Sequence, residues 1–123
     1  MMTFSEIPIY AVLLLLTLHF VGDFLFQTTW MALNKSKDNK ALTAHVAVYS
    51  VCFMAFGLEF VAITFVLHWI TDWCTSRLTS RWWFIDDAGV DDRKRTLFFG
   101  TIGFDQLIHG WCLVLTYVFL TGH

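Results

Sequence analysis

The 123-residue chain has no CxxC pair, no glycine-rich phosphate loop, a single proline and a net charge of only −2. Cys52, Cys74 and Cys112 are odd in number and widely spaced, which excludes a disulfide framework. Their separation also argues against a thiolate-rich zinc site. So small a net charge leaves no nucleic-acid footprint. No serine or cysteine stands beside a base in a nucleophile pattern. Ser76, eight residues after His68, is explained as well by a bond to its own helix backbone. Alternation at the strand period, internal repeats and low-complexity tracts are all absent. The N-terminus lacks a basic leader, Glu6 precedes the first apolar run and no small-residue cleavage site follows, so it reads as a retained span.

Apolar residues are abundant instead: 57% of the chain is hydrophobic, with thirteen Phe and six Trp, and mean hydropathy is +0.61. Soluble domains average about 45–50% apolar. The expected fold is all-α, a polytopic membrane four-helix bundle forming one domain over residues 1–123. A span needs ~20 apolar residues, which places spans at about 7–33, 41–57, 60–78 and 97–120. The polar break "NKSKDNK" (34–40) ends the first, and "GLE" (57–59) divides a run too long for one crossing.

Every Lys and Arg falls in or beside two loops: Lys35, Lys37 and Lys40 in the first, and Arg77, Arg81, Arg93, Lys94 and Arg95 around the second. With four spans these loops share a face, and basic loops stay cytoplasmic. The expected location is a bacterial inner (cytoplasmic) membrane, both termini outside, with Trp82 and Trp83 at an interface. Asp86, Asp87, Asp91 and Asp92 do not follow EF-hand spacing and read as a solvated loop, one Asp capping the fourth helix.

Polar residues recur inside the spans at helical spacing: His19, Asp23 and Gln27; His45 and Tyr49; His68, Asp72 and Ser76; Asp105 and His109. Residues four apart share a helix face, so each helix carries a stripe that a bundle can turn inward. Counted at ~1.5 Å per residue, the stripes overlap in depth and form one column in the cytoplasmic half. A lone His or Asp in a span is often only an interhelical hydrogen bond. An unpaired acid at a helix centre costs about 2.5–3.5 kcal/mol, and here each acid lies four residues from a histidine. The expected metal ligands are His19, Asp23, His45, His68, Asp72, Asp105 and His109, some histidines serving instead to orient ligands. This N/O set suits one or two divalent ions, Zn²⁺, Mn²⁺ or Fe²⁺.

"HFVGDFLFQTTWMALNK" (19–35), His45, "HWITDWCTSRL" (68–78) and "FDQLIH" (104–109) together resemble domain-of-unknown-function family 3307. The resemblance implies a small membrane protein of bacteria or their phages. It also implies that His19, Asp23, Gln27, Lys35, His45, His68, Asp72, Asp105, Gln106 and His109 are its characteristic polar positions. A Lys is expected after the third-span Asp, where this chain has Thr75. A looser similarity runs to membrane-bound metal-dependent hydrolases, as analogy only.

Three functions follow. The first is a metal-dependent hydrolase of a membrane lipid or lipid-linked substrate, with Asp23, Asp105 and Gln27 in catalysis, Tyr49 as a further donor, and Lys35 and Arg77 at a phosphate-holding mouth. The second is a metal-stapled structural protein that binds another membrane protein, as a phage exclusion factor would. The third is a proton or divalent-cation transporter, which "IYAVLLLL" (9–16) and "FVAITFVL" (60–67) obstruct unless a homo-oligomer supplies a path between protomers.

Overall fold

The computed structural model describes residues 4–81 and 92–121, and among these the chain is helical with no strand. The proline stands at the N-cap of α1, Ile9–Phe20, where its missing N–H costs nothing. Helix α1 runs directly into a π turn, Val21–Leu25, closed by the Phe26 N–H donating to the Val21 carbonyl at 2.9 Å. The first expected span is thereby divided. Thr28 is extended, and a short helix α2, Thr29–Asn34, restarts beyond it. The restart is capped by the Thr28 hydroxyl oxygen, which accepts the Met31 N–H at 3.2 Å.

Helix α3, Asn39–Val51, begins where the Asp38 carboxylate accepts the Lys40 N–H at 2.9 Å. A 3₁₀ turn, Met54–Phe56, leads to Gly57 at φ 104°. That left-handed corner suits glycine alone, and it sits where "GLE" divides the apolar run. Helix α4 is Leu58–Arg81 and α5 is Asp92–Thr121. The described residues therefore hold five α-helices instead of the four expected. The loop holding Trp82, Trp83, Asp86, Asp87 and Asp91 lies outside the described residues, whereas Asp92 stands in the first turn of α5.

Helix α4 packs on both α3 and α5; α1 packs on α5 and, through its π turn, on α3, while α2 rests on α3. Neighbours run antiparallel, since paired contacts advance in opposite directions: His19 meets Tyr49 and Asp23 meets His45; Asn39 meets Arg77 and His45 meets His68; His68 meets His109 and Thr75 meets Asp105; Leu16 nears Gly110 and Asp23 meets Gln106. Around the bundle the order is α1, α3, α4, α5. Gly22 permits the closest approach: a Cβ there would lie 3.0 Å from the Tyr49 ring and 3.3 Å from the Tyr49 Cα.

An apolar cluster of Leu15, Tyr49, Phe53, Phe60 and Leu113 fills the end of the bundle near Gly57. Below it the interior is polar: His19, Asp23, His45, His68, Asp72, Thr75, Asp105 and His109 are all buried. The exterior is the reverse, with Ile9 71%, Trp111 64% and Leu25 63% exposed. One helix among the described residues, Arg95–Thr121, is long and apolar enough to cross a membrane, and the apolar Ile9–Leu25 is shorter. With 13 residues, α3 spans only ~20 Å of a ~30 Å hydrocarbon core.

Gly22→Val should destabilise the bundle by about 1–3 kcal/mol, since the new methyls meet Tyr49 on a helix that cannot withdraw freely. Thermal unfolding of wild type and variant in the same detergent measures it; an unchanged midpoint would show that α1 and α3 are not in contact there.

Candidate metal centre

The inward stripes meet in the basic half of the bundle. Asp23 Oδ1 lies 3.0 Å from His45 Nε2 and 3.7 Å from His68 Nε2, and the two histidine nitrogens are 3.3 Å apart. Around a tetrahedral ion with ligands at ~2.0–2.1 Å, neighbouring ligand atoms are separated by roughly 3.3–3.5 Å. The triangle of 3.0, 3.3 and 3.7 Å brackets that spacing. Two further buried groups, His68–Asp72–His109 and Asp23–Asp105–His109, hold ligand atoms within 4.8 Å of one another.

Several buried atoms in this cluster lack a hydrogen bond, among them Asp23 Oδ1, Asp72 Oδ2 and His109 Nε2. They are nonetheless close to opposite partners: His109 Nε2 is 2.9 Å from Asp105 Oδ1, and Lys35 Nζ is 3.3 Å from Asp72 Oδ2. Short separations without aligned N–H donation are what an ion-ligand set has before a cation joins it. Three carboxylates gathered in one buried cluster repel one another, and a bound cation would offset that repulsion.

Gln106 links the acids. Its amide nitrogen donates to Asp23 Oδ2 at 3.2 Å and to Asp105 Oδ2 at 3.1 Å, while its carbonyl oxygen accepts from His19 Nε2 at 2.6 Å. This orientation fixes the histidine tautomer, because the remaining His19 Nδ1 then accepts the Tyr49 hydroxyl at 2.8 Å. Thr75 adds a 2.5 Å donation to Asp105 Oδ1. Tyr49 and His109 flank the His68 ring in near-parallel stacks, with centroids at 3.8 Å and 4.0 Å.

A cleft of about 780 Å³ opens onto the cluster and is lined by Asp23, Asp72, Asp105, Gln106, Gln27, Lys35, Lys37 and Ser76, with Phe24, Leu33, Phe98 and Ile102 as apolar wall. At its deep side only a void of about 10 Å³ lies among His68, His109, Thr64 and Thr116, and the apolar cluster follows. The site is open at the basic end and shut at the other.

The sequence model for the family described as "Protein of unknown function (DUF3307)" matches residues 11–123. The chain belongs to the DUF3307 family. No curated protein and no solved structure matches it, so the looser likeness to membrane-bound hydrolases finds no support there. The matched segment of this DUF3307 chain includes every residue of the cluster.

Of the seven expected ligands, Asp23, His45, His68, Asp72, Asp105 and His109 fall within the three groups. His19 does not: both its ring nitrogens are engaged, and it stands 3.9 Å from Asp23. It orients Gln106 and, through it, two acids. Gln27 lines the cleft with its carbonyl oxygen buried and without a hydrogen bond. The Ser76 hydroxyl has no backbone partner, against the expectation for a helical serine, and faces the same cleft. Tyr49 is held by His19 outside the cleft lining, so it is not placed as a donor to a bound substrate there. Arg77 donates to Asn39 at 2.8 Å and covers the Trp73 ring at 4.3 Å. It is turned away from the mouth; Lys35 is the cation at the acids. The bridging role of Gln106 was invisible in the spacing, since a residue adjacent to Asp105 should face elsewhere.

Replacing a group that orients ligands typically costs 10–100-fold in metal affinity. Gln106→Leu should therefore weaken metal binding by about that factor while the helical circular dichroism stays unchanged. Equal affinity in wild type and variant would mean that Gln106 does not position Asp23 and Asp105.

Proposed function

We propose that this protein is an integral membrane metalloprotein, embedded in a bacterial inner membrane with its basic end cytoplasmic, and that it hydrolyses a lipid or lipid-linked substrate with a divalent ion. The membrane reading is supported by the inverted partition of side chains: carboxylates and imidazoles inside, Ile, Leu, Phe and Trp outside. A soluble bundle would leave too much apolar surface in water for so small a chain. Helix α5, long and apolar enough to cross, agrees with it.

One observation carries the hydrolase reading: the three acids that could hold an ion also line a wide cleft. Ligands buried purely for stability have no need of such access. A bound divalent ion supplies a water whose pKa falls to about 7. The protein's own groups then do the rest. Asp23 and Asp105, held by Gln106 and Thr75, keep ligand oxygens fixed; a carboxylate oxygen not engaged by metal would take the proton from the attacking water and pass it to the leaving alkoxide as the ester bond breaks. Gln27, on the cleft wall, offers its amide to a substrate oxygen. Lys35 is near enough to leave Asp72 for an anionic group entering the mouth, and the apolar wall of Phe24, Leu33, Phe98 and Ile102 suits an acyl chain.

A structural role is favoured by one specific contact. The Lys35 ammonium already sits on Asp72, so a charge-balanced network could staple the helices with no turnover. Passage of ions through the chain is disfavoured by the packed Leu15, Phe53, Phe60 and Leu113 beyond the site.

Elemental analysis of detergent-purified protein should find zinc, manganese or iron. Asp105→Asn should lose most of that metal and all hydrolysis of a phosphoester lipid in mixed micelles, yet keep wild-type helicity. Metal with no hydrolysis across lipid phosphoesters would leave the structural role; absence of metal would end the proposal.

A further inference from the structure

We infer that the centre is built for two ions, bridged by Asp23 and Asp72. This rests on the proposed reading of the cluster as a metal site and goes further by assigning its nuclearity.

The ligand set divides into halves. His45 and His68 form one, with their Nε2 atoms 3.3 Å apart. His109 and Asp105 form the other, 2.9 Å apart. Asp23 and Asp72 face both. Asp23 turns Oδ1 to the first half, 3.0 Å from His45 and 3.7 Å from His68. Its Oδ2 accepts from the Gln106 nitrogen at 3.2 Å, and that same nitrogen donates to Asp105 at 3.1 Å in the second half. Asp72 is arranged alike: Oδ2 lies 3.6 Å from His45 and 4.0 Å from His68, and Oδ1 lies 3.8 Å from His109. Asp72 thus turns one oxygen to either side, and Asp23 belongs to a ligand group in each half, with His45 and His68 and with Asp105 and His109; carboxylates shared in this way hold a pair of ions about 3.5–4 Å apart.

Atoms left without a hydrogen bond occur in both halves. Asp23 Oδ1 and Asp72 Oδ2 belong to the first and His109 Nε2 to the second, on residues that are 4%, 1% and 2% exposed. Lys35 Nζ stands 3.3 Å from Asp72 Oδ2 and Asp105 Oδ1 stands 2.9 Å from His109 Nε2; one ion would still leave the ligand atoms of the other half without a cation. A single tetrahedral ion takes four ligand atoms, and this cluster supplies three imidazoles and three carboxylates. Two divalent ions outweigh three carboxylates in charge. The surplus faces the open cleft, where an anion can join it, consistent with a phosphoester as the substrate class.

The test is a titration of the full-length, chelator-stripped protein in detergent with Zn²⁺ and Mn²⁺ in turn, counting bound metal by elemental analysis. Two ions per chain are expected, and Mn²⁺ should give a spin-coupled spectrum in electron paramagnetic resonance. His109→Gln should retain one ion per chain and, with Mn²⁺, an uncoupled six-line signal. If that variant does not fold by circular dichroism, His45→Gln tests the other half with the same expectation. One ion per wild-type chain, or two Mn²⁺ without coupling, would overturn the bridged pair while sparing the metal reading. Binding of neither metal would overturn both.

Discussion

Three carboxylates are buried in one small volume, and the rest of the structure is arranged around that cost. Asp23, Asp72 and Asp105 are each at least nine-tenths buried, and like charges so close repel strongly where the dielectric is low. The interior answers with imidazoles from all four longer helices, the Lys35 ammonium and the Gln106 amide. Each contributes something different. The amide keeps Asp23 and Asp105 at a fixed separation, the ammonium partly neutralises Asp72, and the histidines supply nitrogens at ligand spacing. Every long helix delivers at least one of these groups, so the cluster ties all four together.

Backbone features follow the same constraint. The π turn at Val21–Leu25 re-aims the chain at the point where Asp23 must face His45, and such turns are frequent at functional sites. Gly22, its neighbour, lets α1 lie against Tyr49. The helix then stops, and the capped restart at Thr28 carries Lys35 back over Asp72. A straight helix from residue 7 to 33 would have carried the chain on past the end of the bundle instead.

Much of this was legible in the residues themselves. Four-residue spacing placed His19 with Asp23, His68 with Asp72 and Asp105 with His109 on single faces, and cost alone argued that those faces turn inward. The hairpin corner was legible too, because Gly57 is the one glycine in an overlong apolar run. The break before Thr28 was not, since neither proline nor glycine marks it and Thr28 reads like any polar residue at a span's edge. Nor could spacing separate His19 from the other histidines. His19 stands apart because Tyr49 and Gln106 engage both its ring nitrogens, a three-helix coincidence with no one-dimensional signature. Arg77 and Lys35 looked equivalent as basic residues near one face. Only the stacking on Trp73 and the reach from α2 distinguish them.

The packed aromatic floor formed by Tyr49, Phe53 and Phe60 fills the Gly57 end of the bundle, beyond the cleft. A molecule bound against Asp23, Asp72 and Asp105 would therefore approach from the Lys35 side and not through the Gly57 end. The two ends of the bundle are thus unlike by construction, one polar and open, the other apolar and filled.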